Sequence, residues 1–371
     1  MIPIAKPIIS EREKQLVMEV LDSGVLAAGE KVREFEAQFS QYIGSPFGIA
    51  ASSGTTALHM ALLACGIKAG DKVVTTPFSF IATANSVLYC GAKPVFCDID
   101  RNTYNISVPA LRELLKKERD IKALLIVHLF GLSCDMDALM ELVREHNLIL
   151  IEDCAQAHGA AFRGKKAGSF GHASIFSFYP TKNITSGEGG MVLTSREEVA
   201  RAAELLRNHG MPREYEHSII GYNYRMTNIA AAIGIGQLER IGELIEKRRS
   251  NARFLDGHLK GIPGIETPSV PHEEYFHVYN QYTVKVPHGR AGLIQHLKEK
   301  GIGHKIFYPT IIPDQPLYRE MGFHGDSLPV SRACASQVLS LPVHPALSGD
   351  DLERIVSTVG EYCKKNDMTP V

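Results

Sequence analysis

Residues 173–190 read ASIFSFYPTKNITSGEGG. The stretch divides at Phe178. Before it lies an apolar run of the length of a buried strand. After it the periodicity stops, and hydroxyls, glycines at 187, 189 and 190 and a single lysine, Lys182, take over. In open α/β sheets ligands bind beyond the carboxyl ends of strands. The residues just past the end of every other strand are therefore the next to read.

Working outward, Leu148–Asp153 reads as a strand that ends in Glu152-Asp153-Cys154-Ala155-Gln156. Ile121–Leu129 is nearly all apolar, as expected of a strand covered on both faces. Lys72–Thr75, Pro94–Asp98 and Met191–Ser195 supply further strands. Thr83–Cys90, Asp135–Asn147 and Arg196–Asn208 supply helices. This alternation predicts an α/β fold: a large domain with a mostly parallel sheet flanked by helices. At the start, Ser10 and Glu13 form a capping box. Leu16, Val17, Val20 and Leu21 then share a helical face, and Gly24 stops the helix. A second helix covers Glu30–Ile43.

Asn228 to Lys260 reads as one long helix. Its small-residued first half, IAAAIGIGQL (229–238), permits close backbone approach. That pattern suits a subunit interface and an ordinary buried helix equally. After Gly261 the texture changes: a strand in QYTVKV (281–286), a helix at Arg290–Lys300, and a final amphipathic helix at Ser348–Lys365. The expected division is a large domain, 1–245, and a smaller α+β C-terminal domain, 246–371.

The chain has 371 residues, 44% hydrophobic and 22% charged, with 40 basic and 41 acidic side chains. A net charge of −1 gives no electrostatic footprint for nucleic acid or a membrane surface. The seven cysteines form no CxxC pair, so neither a disulfide framework nor a metal site is expected. MIPIAKPIISEREK lacks the apolar core of a signal peptide, and no apolar run is long enough to span a bilayer. Cytoplasmic localisation is the default expectation.

Three sequence features converge on one sheet edge. Ser52-Ser53-Gly54 opens the helix of Thr55-Thr56-Ala57-Leu58, and a helix start with exposed N–H groups binds anions. Asp153 ends a strand. Lys182 comes after another. Singly, each has a plain reading: an N-cap, a helix-capping carboxylate, a solvated surface lysine. Together they match the needs of pyridoxal 5'-phosphate, which requires an anion hole, an acid partner for its pyridine nitrogen and an amine for its aldehyde.

The stretches SGTTAL (53–58), PFSFIATANSVLYCGAKPVFCDID (77–100), IEDCAQAHGA (151–160), FSFYPTKNITSGEGG (176–190), GYNYRMTNIAAAIGIGQLERI (221–241) and LSLPVHP (339–345) run in order along nearly the whole chain. In them the protein resembles the sugar aminotransferases of the DegT/DnrJ/EryC1/StrS family, which have the aspartate-aminotransferase-like, type I fold. The resemblance implies that Lys182 forms the Schiff base and shuttles the proton, and that Asp153 pairs with the pyridinium nitrogen. It places Ala155 and Phe80 on the two ring faces and Gln156 on the 3-hydroxyl. Gly54, Thr55 and Ser177 would hold the phosphate, with Thr56 assisting. Asn223 would reach the cofactor phosphate of a neighbouring subunit, which implies a homodimer with shared active sites.

The same resemblance implies an amino-acid donor, usually L-glutamate, and a nucleotide-linked keto-sugar acceptor, with YRMTNIAAAIG most like enzymes that aminate C4 of 4-keto-6-deoxy sugars. A 3-keto-sugar or aminocyclitol aminotransferase on this scaffold, and a non-catalytic pyridoxal-phosphate-binding regulator, are the rival expectations. One departure concerns the loop Pro309–Pro316, where many members of the family carry a histidine and this chain has none. His128, His158 and His209 read as structural histidines, and Arg225 reads equally as an anion ligand or half of an ion pair.

Overall fold

The computed structural model describes residues 1–366. Two helices come first, α1 (Glu11–Ser23) and α2 (Glu30–Ile43), then β1 (Phe47–Ala51) and α3 (Gly54–Ala64). The units β2 (Lys72–Thr75), α4 (Ala82–Tyr89), β3 (Lys93–Phe96), α5 (Val108–Lys117), β4 (Ile121–Val127), α6 (Met136–Glu145) and β5 (Ile149–Asp153) alternate. Two short strands, β6 (Ala161–Phe162) and β7 (Lys165–Lys166), precede β8 (Ala173–Ser177), β9 (Gly190–Thr194) and α7 (Glu197–Arg207). Next come α8 (Asn228–Glu239), α9 (Ile241–Leu259), β10 (Tyr275–Phe276), β11 (Tyr282–Lys285) and α10 (Arg290–Glu299). The chain closes with α11 (Pro316–Glu320), α12 (Pro329–Gln337), β12 (Val338–Leu341) and α13 (Gly349–Lys365).

Seven strands form the central sheet in the order β1-β9-β8-β5-β4-β2-β3. From β8 to β3 all neighbours are parallel, whereas β9 runs antiparallel to both β8 and β1. Two reversals restore direction, so β1 points the same way as β8. The carboxyl ends of β1, β8, β5 and β4 therefore share one edge, which is what brings the three sequence features together. The strands β4, β5 and β8 are apolar because both faces are covered: Leu124, Leu125, Leu150, Ile151 and Ile175 are fully buried. Each such side chain contributes about 1.5–3 kcal/mol relative to exposure.

The capping box of Ser10 and Glu13 forms as expected, and Gly24 closes α1 in the left-handed conformation. Leu21 departs from the expected face: it is exposed, and only Leu16 and Val20 enter the core. Glu13 is buried beneath α8. Burial alone would raise its pKa, but the Ser10 hydroxyl and Gln237 amide donate to it and bring it down to about 2. Arg240 Nη2 adds an ion pair at 2.9 Å.

The long helix expected from 228 to 260 is two helices that meet at Arg240, whose φ/ψ of −113°/9° leave the helical region. Within the chain, Gly234 and Gly236 each meet a close neighbour. A β-carbon on Gly234 would lie 2.7 Å from the Phe35 ring, and one on Gly236 would lie 2.8 Å from Glu13 Cγ. The close approach seen here is made by the chain's own α1 and α2.

Apolar side chains of α9 are shared between cores. Ile241, Leu244 and Ile245 pack with α1, α2 and α8. Ala252, Leu255 and Leu259 pack with β11, β12, α10 and α13. Residue 245 thus falls inside a continuous helix. Ile2 also belongs to the second cluster and forms a parallel bridge with Ile302.

Candidate active site

Three sheet-edge turns build the site. At the end of β1, Ser53 caps α3: its hydroxyl accepts from Thr56 N–H, and Thr56 Oγ1 accepts from Ser53 N–H at 3.0 Å. Thr56 also donates to the Ser53 carbonyl, so its hydroxyl is committed to the cap. The first-turn N–H groups of Gly54 and Thr55 point out of the helix start, where an anion is favoured. Ser177, at the end of β8, lies directly against Gly54. A β-carbon there would be 2.7 Å from Ser177 Cβ.

Side chains alternate along β5, so Glu152 and Asp153 take opposite faces. Glu152 is fully buried and accepts from His128 Nε2 (2.9 Å) and from the N–H groups of Gly168, Phe170 and Gly171 (2.8, 2.8 and 2.7 Å). The Cys134 N–H donates to His128 Nδ1, which fixes the neutral Nε2–H tautomer. Burial alone would raise the Glu152 pKa, but the His128 and backbone donors bring it below the ordinary value. His128, Glu152 and Cys154 stand close enough to suggest a metal. Both nitrogens of the histidine and both oxygens of the carboxylate are already hydrogen-bonded, so the His128–Glu152 pair is a structural staple beneath the sheet edge.

Asp153 takes the other face, on the side of Thr83 and Lys182. Its Oδ1 accepts from Ala155 N–H (3.1 Å) and its Oδ2 from the Thr83 hydroxyl (2.9 Å). Burial raises its pKa, opposed by those donors and by the charge of Lys182. Gln156, three residues further on, has its amide oriented by its partners: Oε1 accepts from Phe130 N–H (2.8 Å), so Nε2 is the end that donates to Tyr308 Oη (3.2 Å).

Lys182 lies beyond β8 in a turn closed by its own N–H donating to the Tyr179 carbonyl (2.9 Å). Its segment is held from the C-terminal half of the chain. Asn280 Nδ2 donates to the Thr181 carbonyl (3.3 Å) and to Asn183 Oδ1 (3.0 Å), and Arg248 Nη2 approaches the Lys182 carbonyl (3.5 Å). Burial lowers the Lys182 pKa to about 8, against the pull of Asp153. An amine whose pKa is lowered this far gives up its proton more readily than a free lysine and is equipped for Schiff-base chemistry.

The remaining expected residues are spread around this edge. Phe80 presents an exposed ring (59%) ahead of α4. Asn223 is exposed on this chain, opposite Asn208 in an isolated bridge. Arg225 donates to the neutral Asn208 Oδ1 (2.6 Å), and among the described residues it forms no ion pair. His158 is caged by Phe39, Phe176 and Phe178, and burial lowers its pKa to about 3, so it is neutral. In the histidine-free loop, Ile311 and Ile312 turn inward and pack, and Ile312 N–H donates to the Pro77 carbonyl (2.8 Å). Sequence reasoning misses Thr83, Tyr308, Arg248 and Asn280. They approach from distant segments, and nothing in their local pattern separates them from ordinary buried polar residues.

The fold and this edge chemistry define the class: a pyridoxal-phosphate-dependent aminotransferase of fold type I. The residues present fit that cofactor, since the cradle at Gly54 has no room for a side chain and burial loosens the proton of the lysine amine. The chain belongs to the DegT/DnrJ/EryC1/StrS aminotransferase family, whose model it matches over residues 7–360. It is 40% identical to a GDP-perosamine synthase of Caulobacter vibrioides over 97% of this chain and 98% of that one. It is 38% identical to a protein of Geobacillus stearothermophilus named a pleiotropic regulatory protein, over 95% and 97% of the two chains. Its structure superimposes on S. venezuelae DesV, solved in complex with a ketimine intermediate, with a TM-score of 0.91, 34% identity and 95% of each chain covered.

Proposed function

We propose that this enzyme transfers an amino group from an amino acid, L-glutamate in the first instance, to a nucleotide-linked keto-sugar, and that the acceptor is a 4-keto-6-deoxy sugar. The observation that carries the substrate class is the 40% identity, across nearly both whole chains, to a GDP-perosamine synthase. Pyridoxal phosphate, when bound, supplies the carbonyl and the electron sink. Lys182 holds the carbonyl end and moves the proton between substrate carbon and cofactor, a task matched to a pKa of about 8. Asp153 holds the ring nitrogen's proton. The N–H groups of Gly54 and Thr55, with the Ser177 hydroxyl, hold the phosphate. Ala155 and Phe80 bracket the ring, and the free Gln156 Nε2 hydrogen reaches its 3-oxygen.

The exposed Asn223 reaches the cofactor phosphate of a second copy in a homodimer with shared sites. Residues 1–245 act as the cofactor-binding domain, and 246–371 as the smaller domain that brings Tyr308 to the cleft. A nucleotide-sugar substrate suits a cytoplasmic enzyme. Among the described residues no helix is long and apolar enough to cross a membrane.

The test is a two-stage reaction. Enzyme carrying pyridoxal phosphate is incubated with glutamate, freed of it, and offered GDP- and dTDP-linked 4-keto-6-deoxy sugars, a UDP-linked 3-keto sugar and a keto-cyclitol. Mass spectrometry reads the aminated product. Amination confined to the cyclitol or to the 3-keto sugar would overturn the acceptor assignment. Absence of any glutamate-dependent cofactor conversion would favour a binding regulator.

A further inference from the structure

Thr83 lies in the first turn of α4 and is 1% exposed. A buried threonine in a helix commonly turns its hydroxyl back onto a carbonyl of the preceding turn. Thr83 instead reaches Asp153 Oδ2 at 2.9 Å, across 70 residues of sequence. The Ser79 hydroxyl stands 3.0 Å from Thr83 Oγ1. An ionised carboxylate only accepts, so Thr83 donates to it. Thr83 has one hydroxyl hydrogen, so Ser79 must donate into Thr83. The chain Ser79, Thr83, Asp153 is thereby polarised toward the carboxylate, and Ala155 N–H grips the other oxygen.

We propose that Thr83, backed by Ser79, is the positioning residue of Asp153: it fixes the plane of the carboxylate and keeps it ionised for a protonated ring nitrogen. A carboxylate held by one oxygen swivels about Cβ–Cγ, whereas one held by both does not. In a site this buried, loss of a donor also disfavours the charged form. The inference rests on the assignment of Asp153 above.

The measurement is the dissociation constant of pyridoxal phosphate over a pH series, for wild type, Thr83→Val, Thr83→Ser and Asp153→Asn, alone and combined. Thr83→Val keeps the shape and removes the hydroxyl. It should weaken binding about tenfold or more, the usual size of a hydrogen bond to a charged group. Its affinity should also fall away at a higher pH on acidification than that of wild type, because Asp153 protonates sooner. Thr83→Ser should restore both. In the Asp153→Asn background the Thr83→Val loss should shrink, as coupled neighbours require.

Wild-type affinity in Thr83→Val, an equal loss in Thr83→Ser, or a loss undiminished in Asp153→Asn would overturn the proposal. Should Thr83→Val not fold, Ser79→Ala, which strips Thr83 of its donor, reads the same quantity, and an unchanged affinity and pH profile overturns the relay. Failure of the functional reading itself is distinct: wild-type enzyme would then yield no borohydride-stable link between pyridoxal phosphate and Lys182.

Discussion

Gly54 and Ser177 press together so closely that a β-carbon on the glycine would lie 2.7 Å from that of the serine. The first residue of α3 and the last of β8 thus share a space that no larger pair could occupy. Gly54→Ala should therefore cost about 1–3 kcal/mol of stability through overpacking and weaken pyridoxal-phosphate binding as well. Thermal melts and cofactor titration check both, and Ser177→Gly in the same chain should recover part of the stability. Full stability and affinity in the single variant would show that the turn can shift.

Lys182 offers a pH signature that does not depend on turnover. Its amine should react with an acylating probe half-maximally near pH 8 in the cofactor-free protein. Unfolded lysine holds its proton to about 10.4. Between the two values the unfolded state binds more protons, so stability attributable to this group rises with pH through that window. Lys182→Met should flatten that rise in urea-denaturation series. It should also abolish transamination, and normal turnover would refute the Schiff-base assignment.

Glu152 has four hydrogen-bond donors and no solvent. Glu152→Ala strands His128 Nε2–H and three backbone N–H groups in the interior. The expected loss is about 3–5 kcal/mol, the cost of breaking a buried charged network. Chemical denaturation measures it. A loss below about 1 kcal/mol, the size of a single ordinary hydrogen bond, would mean that water replaces the carboxylate.

Subunit mixing tests the shared site. Lys182→Ala and Asn223→Ala chains should each be impaired alone. Co-refolded, they should regain activity, because a mixed dimer assembles one site with both residues intact. No recovery in a demonstrated mixed dimer would place Asn223 outside its partner's site.

The strands are legible in the sequence because their composition comes directly from burial. Ala123–Val127 and Leu150–Ile151 are covered on both faces, and apolar residues fill them. Their carboxyl ends then locate Asp153 and Lys182. The break at Arg240 is not legible: no proline marks it, Gly242 nearby lies inside a helix, and the apolar pattern runs through on both sides. Helix α5 is a different case, absent from the sequence expectations although Ser107 and Pro109 signal its start as cap and early proline. Thr83 and Tyr308 are illegible for another reason. Their roles come from contacts with Asp153 and Gln156 that only the folded chain creates.

Helix α9 works as a beam set into two walls. Its first half is mortared into the sheet-bearing half of the molecule and its second into the C-terminal half, while Ile2 stitches the beginning of the chain to Gly301 and Gly303. A protease cutting the connection between Lys260 and Tyr275 would nick the chain without freeing either piece, and a gene truncated at 245 would encode a fragment with one wall missing. The lysine's cradle, whose carbonyls are gripped by Arg248 and Asn280, is thus built jointly by both halves and comes apart only with the whole.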